Sequence, residues 1–169
     1  EGDKKFFGSY IPKVNLGFNI GLNYKNFDML VDTYTSLGAK VYNGKKAQRI
    51  SKENIEANNF NRRWTSGRPS STDPSAFQSI PKASNYYLES GDFFRVNNIT
   101  IGYTFSEIPF SFFSKIRIYA TAKNPLIFKK FSGFTPELPG DGNPLGTAGI
   151  ELDAYPTLKS FYFGINTSF

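Results

Sequence analysis

Residues 158–169 read LKSFYFGINTSF. Taken in steps of two, Phe161, Phe163, Ile165, Thr167 and Phe169 fall on one side, and Tyr162, Gly164, Asn166 and Ser168 on the other. Period-two alternation is the pattern of a strand. The apolar side is largely aromatic and the opposite side is small or polar. An exposed aromatic edge strand is an aggregation hazard for a soluble protein. In a transmembrane β-barrel the edge pairs with a further strand, the apolar side meets lipid and the polar side meets the lumen. The expected fold class is therefore all-β, a transmembrane antiparallel β-barrel.

Composition agrees with that reading. Of 169 residues, 39% are hydrophobic, which is low for a packed core, while 17% are aromatic, which is high. A barrel accounts for both, because half of each strand faces water and aromatic girdles mark the two membrane interfaces. The chain has no Cys and no His. It thus lacks thiolate ligands, disulfides and the commonest general base. With no nucleophile–base pair in the sequence, no catalytic residue, metal site or cofactor is expected, and the chain is not expected to be an enzyme. No apolar run reaches the roughly 20 residues of a transmembrane helix. The first residues, EGDKKFF, do not form a secretory signal, so an exported protein would contain this chain as a mature piece or fragment.

The clearest strand is 14–24, VNLGFNIGLNY. Its even positions, from Val14 through Leu16, Phe18, Ile20 and Leu22 to Tyr24, are apolar, and its odd positions are only Asn or Gly. Asn and Gly are poor strand formers on a solvated surface, but small side chains suit a crowded lumen. A short turn at Lys25-Asn26 leads to strand 27–37, which carries Asp28, Leu30, Asp32, Tyr34 and Ser36 on one face. Two carboxylates are too costly on a lipid face, so that face is expected to be lumenal. A third strand spans about 93–105, with a slip at Asn97-Asn98 that predicts a bulge. A turn at 106–114 follows, and then a strand at 115–123 with Arg117, Tyr119, Thr121 and Lys123 on its polar face.

The connections alternate short, long, short, long. Outer-membrane barrels have short periplasmic turns and long extracellular loops, so 38–85 and 124–157 are expected outside and Phe169 in the periplasm. The first long segment holds nine basic and three acidic residues, an excess equal to the net charge of +6 of the whole chain. A short helix is expected at 47–58 with Ser51 as its N-cap. About five strands cannot close a barrel, whose smallest form uses about eight. Lipid offers no partner to an open edge, so the strands must belong to a longer barrel.

Several stretches, in order, resemble a known family. They are GSYIPKVNLGFNIGLNYKN at 8–26, VYNGKKAQ at 41–48, NRRWT at 61–65 and IPKAS at 80–84. Then come LESGDFFRVNNITIGY at 88–103, AKNPL at 122–126, FSGFTPE at 131–137 and Tyr155-Pro156. The series is similar to the C-terminal strands of the SusC/RagA family of TonB-dependent outer-membrane transporters, and the terminal aromatic strand resembles an outer-membrane assembly signal. One departure is Arg62-Arg63-Trp64, where the family more often has a single Arg before the Trp. The resemblance implies that 1–169 is the C-terminal portion of a barrel of about 22 strands, without its plug and TonB box. It also implies import of oligosaccharides or peptides across the bacterial outer membrane of a Gram-negative cell. The implied partners are the N-terminal remainder of the barrel, a SusD-like surface lipoprotein over the loops, TonB, outer-membrane lipid and lipopolysaccharide, with no nucleic acid. A soluble or surface β-sandwich that binds carbohydrate is the alternative; the terminal strand and the short–long alternation of the connections count against it.

Candidate ligand or lid contacts are Arg62, Arg63, Trp64, Tyr86 and Tyr87, set against plain loop packing. Asp28, Asp32, Arg117, Tyr119 and Lys123 are candidate lumenal contacts, set against pairing between neighbouring strands. The basic loop fits an anionic lipid or partner as well as a solvated surface. Asp141-Gly142-Asn143 lacks the further acidic residues of a calcium loop, and 140–149 lacks the lysine of a phosphate loop.

Overall fold

The computed structural model describes residues 5–52, 54, 57–69, 72–75, 83–106, 112–138, 148–152 and 154–169. Five long strands form one antiparallel sheet: β1 (Val14–Tyr24), β2 (Phe27–Leu37), β5 (Phe93–Phe105), β6 (Lys115–Lys129) and β8 (Ser160–Ser168), in the order β1-β2-β5-β6-β8. Three short strands form a second sheet beyond one end: β3 (Lys40–Asn43), β4 (Leu88–Ser90) and β7 (Ile150–Glu151), in the order β4-β3-β7. Two helices, α1 (Gly44–Lys52) and α2 (Ala57–Arg62), and a 3-10 turn at Asn85–Tyr87 complete the connection between β3 and β4.

β1 and β2 pair in unbroken register from Val14–Leu37 to Tyr24–Phe27. Lys25, in the two-residue turn between them, has φ +52, the left-handed geometry that tight hairpins require. The expected bulge is present: Asn97 is skipped on both sides, since Asp32 pairs with Asn98 and Thr33 with Val96, while Val96 pairs with Leu126 and Asn98 with Lys123. β6 runs six residues past the expected end at 123, through Asn124 and Pro125. Pro125 is tolerated because neither neighbour pairs with it: β5 skips Asn124 and Pro125 at the bulge, and β8 pairs with β6 only as far as Lys123. Asn124 takes φ +49 and donates through Nδ2 to Leu158 O. The second long connection therefore begins after Lys129. The last strand begins at Ser160 rather than 158.

The helix also departs from expectation. It starts at Gly44, and its cap is Asn43, whose Oδ1 accepts from Lys46 N at 2.8 Å. Ser51 lies inside α1 and is not a cap. The Asp141-Gly142-Asn143 turn lies outside the described residues, as does 107–111 of the turn expected at 106–114.

The large sheet has one apolar and one polar face. Register places Leu22, Met29, Ile101, Ala120 and Phe163 on the apolar face, and Asn23, Asp28, Gly102, Tyr119 and Gly164 on the polar one. Phe163 is 85% exposed and Ile165 69%. Among the described residues no second sheet covers this apolar face, as the sandwich alternative requires. The buried apolar side chains gather instead at one end, where Ala39, Val41, Ala47, Tyr87, Phe93, Val96 and Phe131 join the small sheet to the large one. Aromatic rings mark both ends of the apolar face. Tyr103 lies 4.7 Å from both Phe27 and Phe105 at the hairpin end, where Phe169 packs 5.2 Å from Phe112 and Phe113. Phe94 and Phe128 pair at the other.

Candidate functional site

On the polar face, Arg117 of β6 reaches across β5 to Asp28 of β2. Its Nε donates to Asp28 Oδ1 at 2.9 Å and its Nη2 to Oδ2 at 2.5 Å, a two-pronged charge-assisted contact. The reach is possible because Gly102 stands between them; a Cβ there would lie 2.5 Å from both Arg117 Nη2 and Asp28 Oδ1. Gly164 serves Tyr119 in the same way, leaving room for the ring to lie over β8. The Arg117 guanidinium also sits 4.9 Å from the Tyr119 ring centre. Gly102→Ala is expected to dislodge Arg117 and cost about 1 kcal/mol, the scale of a partly exposed ion pair. Thermal unfolding of the purified protein checks this, and Asp28→Asn should make the second change nearly silent.

Asp32 and Lys123 occupy equivalent rows on either side of Asn98. Here β5 carries a side chain, and the two charges turn to other neighbours. With its amide turned so that nitrogen faces the carboxylate, which is the orientation the surrounding groups favour, Asn19 donates to Asp32 Oδ1 at 3.0 Å, and Lys123 Nζ lies 5.5 Å from the Tyr162 ring. Of the five polar-face candidates, the structure thus joins Asp28, Arg117 and Tyr119, while Asp32 and Lys123 stand apart.

At the loop end, Asp73 is the centre that gathers most of the other candidates. Tyr86 donates its hydroxyl to Asp73 Oδ1 at 2.8 Å, Thr72 donates to Oδ2 at 2.9 Å, and Arg62 Nη2 lies 3.3 Å from Oδ2. Trp64 N donates to the Asp73 carbonyl at 3.2 Å. Lys46 sits 4.0 Å above the Tyr86 ring, and Tyr87, buried, packs edge-on against Tyr86 and beside Tyr42. Burial alone would raise the Asp73 carboxyl, but hydrogen bonds from Tyr86 and Thr72 and the charges of Arg62 and Lys46 hold it below the usual range. Burial first, then the Asp73 charge, pushes the Tyr86 hydroxyl up. Tyr86 and Tyr87 thus pack within the loop around Asp73, while the Arg62 side chain, paired with Asp73, stays 67% exposed. Arg63 stacks 4.1 Å from the Phe60 ring, and Trp64 keeps 44% of its surface exposed.

A second set of polar groups, not singled out by sequence, pins the segment after β6. Glu89 accepts from Ser132 N at 2.7 Å, from Ser132 Oγ at 2.8 Å and from Asn43 Nδ2 at 3.1 Å. Lys129 Nζ donates to the carbonyls of Phe131 and Gly133, and Phe131 is 2% exposed. Arg95 pairs with Glu137 and donates from Nε to Asn97 Oδ1 at 2.6 Å. Burial raises the Glu137 carboxyl against the opposing charge of Arg95. These partners lie 42 to 46 positions apart in sequence for Arg95–Glu137, Glu89–Ser132 and Asn43–Glu89, so no local spacing signals them. Among the described residues no three acidic side chains lie together as a metal site.

No family model matches the chain. It is 28% identical over 182 residues to the TonB-dependent receptor P3 of Formosa agariphila, covering 99% of this chain and 17% of that protein. It is 28% identical over 174 residues to the TonB-dependent receptor SusC of Bacteroides thetaiotaomicron, covering 99% of this chain and 16% of that one. Its fold matches part of the RagAB peptide importer in the open-open state, with a TM-score of 0.79 at 22% identity over 98% of this chain and 18% of the other. The chain thus spans about a sixth of the length of these relatives.

Proposed function

We propose that this chain, a segment of a SusC/RagA-family TonB-dependent transporter, forms part of the wall and extracellular loops of an outer-membrane nutrient importer. One observation carries the reading: a five-stranded sheet exposes an apolar face with aromatic rings paired at both ends and opposes it with a polar face. Lipid on one side and a water-filled lumen on the other match those two surfaces. The 11-residue length of β1 and β2 suits strands tilted through a bilayer. β1 and β8 each have one unpaired edge within the sheet, and lipid cannot satisfy it, so the rest of the barrel pairs there.

In this reading the lumenal contacts are Asp28, Asp32, Arg117, Tyr119 and Lys123. The loop surface around Arg63 and Trp64 meets a SusD-like lipoprotein, and TonB acts through a part of the transporter outside this chain. The solute is an oligosaccharide or a peptide; the structurally similar RagAB is a peptide importer. The chain carries no enzymatic role.

The reading orients the sheet with the Lys25-Asn26 turn and Phe169 in the periplasm and the β3–β4 connection outside. In the full-length protein on intact cells, a cysteine at Gly67 is expected to react with an impermeant maleimide. One at Asn26 is expected to react only after the outer membrane is opened. Labelling at Asn26 alone on intact cells would invert the orientation.

A further inference from the structure

On the apolar face of the large sheet a cavity of about 700 Å³ opens over Ala120 of β6. Ile101 of β5 and Phe163 of β8 wall it on either side, and Phe27, Tyr103 and Ile118 border it toward the β1–β2 hairpin. Its cause is one short side chain in a row of long ones. Register sets Ala120 between Ile101 and Phe163, with Met29 and Leu22 beyond Ile101. Ile101 and Phe163 are both exposed, so the two walls stand clear of the sheet with a gap between them. Side chains that face a gap lose dispersion contacts, and a ligand of the right shape restores them.

The gap is narrow. β5 and β8 are the two neighbours of β6, so their side chains stand two strand spacings apart, about 9.5 Å. A hydrocarbon chain that touches both walls at the usual carbon–carbon separation takes up about 7–8 Å between them. One such chain fits, whereas an α-helix, about 10–12 Å across with its side chains, does not enter.

The level of the cavity selects the leaflet. Ala120 lies in the row of Leu22, between the middle of β1 and its hairpin end at Tyr24. In the orientation proposed above, that is the periplasmic half of the bilayer. The Phe27, Tyr103 and Phe105 rings mark the border below it. Lys25, which follows Tyr24, and Lys115, which precedes the Phe105 partner Ile116, both stand exposed at that border. Aromatic rings and lysines at this depth suit the headgroup region, where an ammonium attracts a lipid phosphate.

We propose that the cavity over Ala120 holds one acyl chain of a phospholipid from the periplasmic leaflet. The tail lies between Ile101 and Phe163, and the phosphate reaches the border where Lys25 and Lys115 stand. The proposal rests on the membrane-wall reading and adds a defined lipid site to it. Elsewhere on the face, as along Leu16 to Leu22 of β1, lipid exchanges without a seat.

The test uses the full-length transporter in phospholipid nanodiscs. The probe is a phosphatidylethanolamine with a diazirine midway along one acyl chain, and labelled residues are mapped by mass spectrometry after illumination. Labelling around Ala120 on β5, β6 and β8 is expected to exceed that of the apolar face of β1 at least fivefold. Ala120→Trp, which fills the cavity, should bring it down to the β1 level, and Ala120→Gly should leave it unchanged. Heat-modifiable gel mobility confirms that each variant is folded, and the wild-type map stands without any variant. Equal labelling of the two regions in the wild type overturns the site, as does labelling that folded Ala120→Trp leaves unchanged. A lipid A probe with the same diazirine that outcompetes the phospholipid there overturns the choice of lipid. Crosslinks between two transporter copies through the cavity overturn it in favour of a second barrel. Labelling of neither region contradicts the membrane-wall reading itself, whereas even labelling of both leaves that reading intact and removes only the site.

Discussion

Arginine at Ile20 is expected to reduce stability by about 2–4 kcal/mol in a bilayer, the cost of a charge at the midplane of a lipid-facing strand. Phe18 should behave alike, and the penalty should fall to about 0–1 kcal/mol toward Val14 and Tyr24, where the side chain can reach the interface. The even positions of β1 are all exposed in the sheet, so no packed core is there to be disrupted. Gly21 is the matched control, because a Cβ there meets nothing within 4 Å. Arginine at Gly21 points to the polar face and should be nearly neutral. Arginine scanning of 14–24 in the full-length protein, scored by the amount assembled in the membrane, gives the profile. A soluble sheet also rejects arginine on its apolar side, but it gives no decline toward both strand ends.

Lys45→Met is expected to cost about 3–5 kcal/mol at the loop end, because it strands a buried charge. Glu151 is 1% exposed, and among the described residues neither carboxylate oxygen has a hydrogen bond. Lys45 Nζ, 3.4 Å from Oε1, is its ion-pair partner, and the same ammonium sits 4.8 Å above the Phe134 ring. Glu151 also closes against the helix start, since a Cβ on Gly44 would lie 2.6 Å from the Glu151 carbonyl. The wall strands do not depend on this pair, so the effect should be local. Limited proteolysis on intact cells should show cleavage in the β3–β4 connection rising at least about a hundredfold, by the free-energy scale above. Adding Glu151→Leu should recover most of the loss, since exchanging a whole buried pair for apolar groups is often close to neutral.

The wall strands were legible because each obeys a local rule. Val14 to Tyr24 alternates without fault, and the break in alternation at Asn97-Asn98 is the bulge the two neighbouring registers confirm. Pro125 misled for a local reason as well. It reads as a strand breaker, and only the registers of the two neighbouring strands show that neither pairs with it. The small sheet was not legible, because β4 and β7 have three and two residues and their pairing is non-local.

The same limit governs the site. The polar faces of β2 and β6 follow from parity, but the Asp28–Arg117 contact depends on Gly102 of a third strand, and parity alone does not reveal it. The aromatic and basic residues of the first long connection looked like a binding surface in sequence. Of these, Arg62 turns to Asp73, an acid in a turn-rich stretch that also takes the Tyr86 hydroxyl just beyond the segment, so that its partners lie on both sides of it. Sequence shows which residue types are present, while register and burial decide which remain available to a ligand.

The central claim is that the large sheet separates lipid from water, and cysteine scanning of β8 tests it most directly. Single cysteines at Tyr162, Phe163, Ile165 and Asn166 would be placed in the full-length protein assembled in membranes. A water-soluble maleimide, with the outer membrane opened, is expected to label the Tyr162 and Asn166 positions. A lipid-dissolved quencher is expected to reach a fluorophore at the Phe163 and Ile165 positions. Equal access of the water-soluble reagent to all four, or the reverse alternation, would contradict the account.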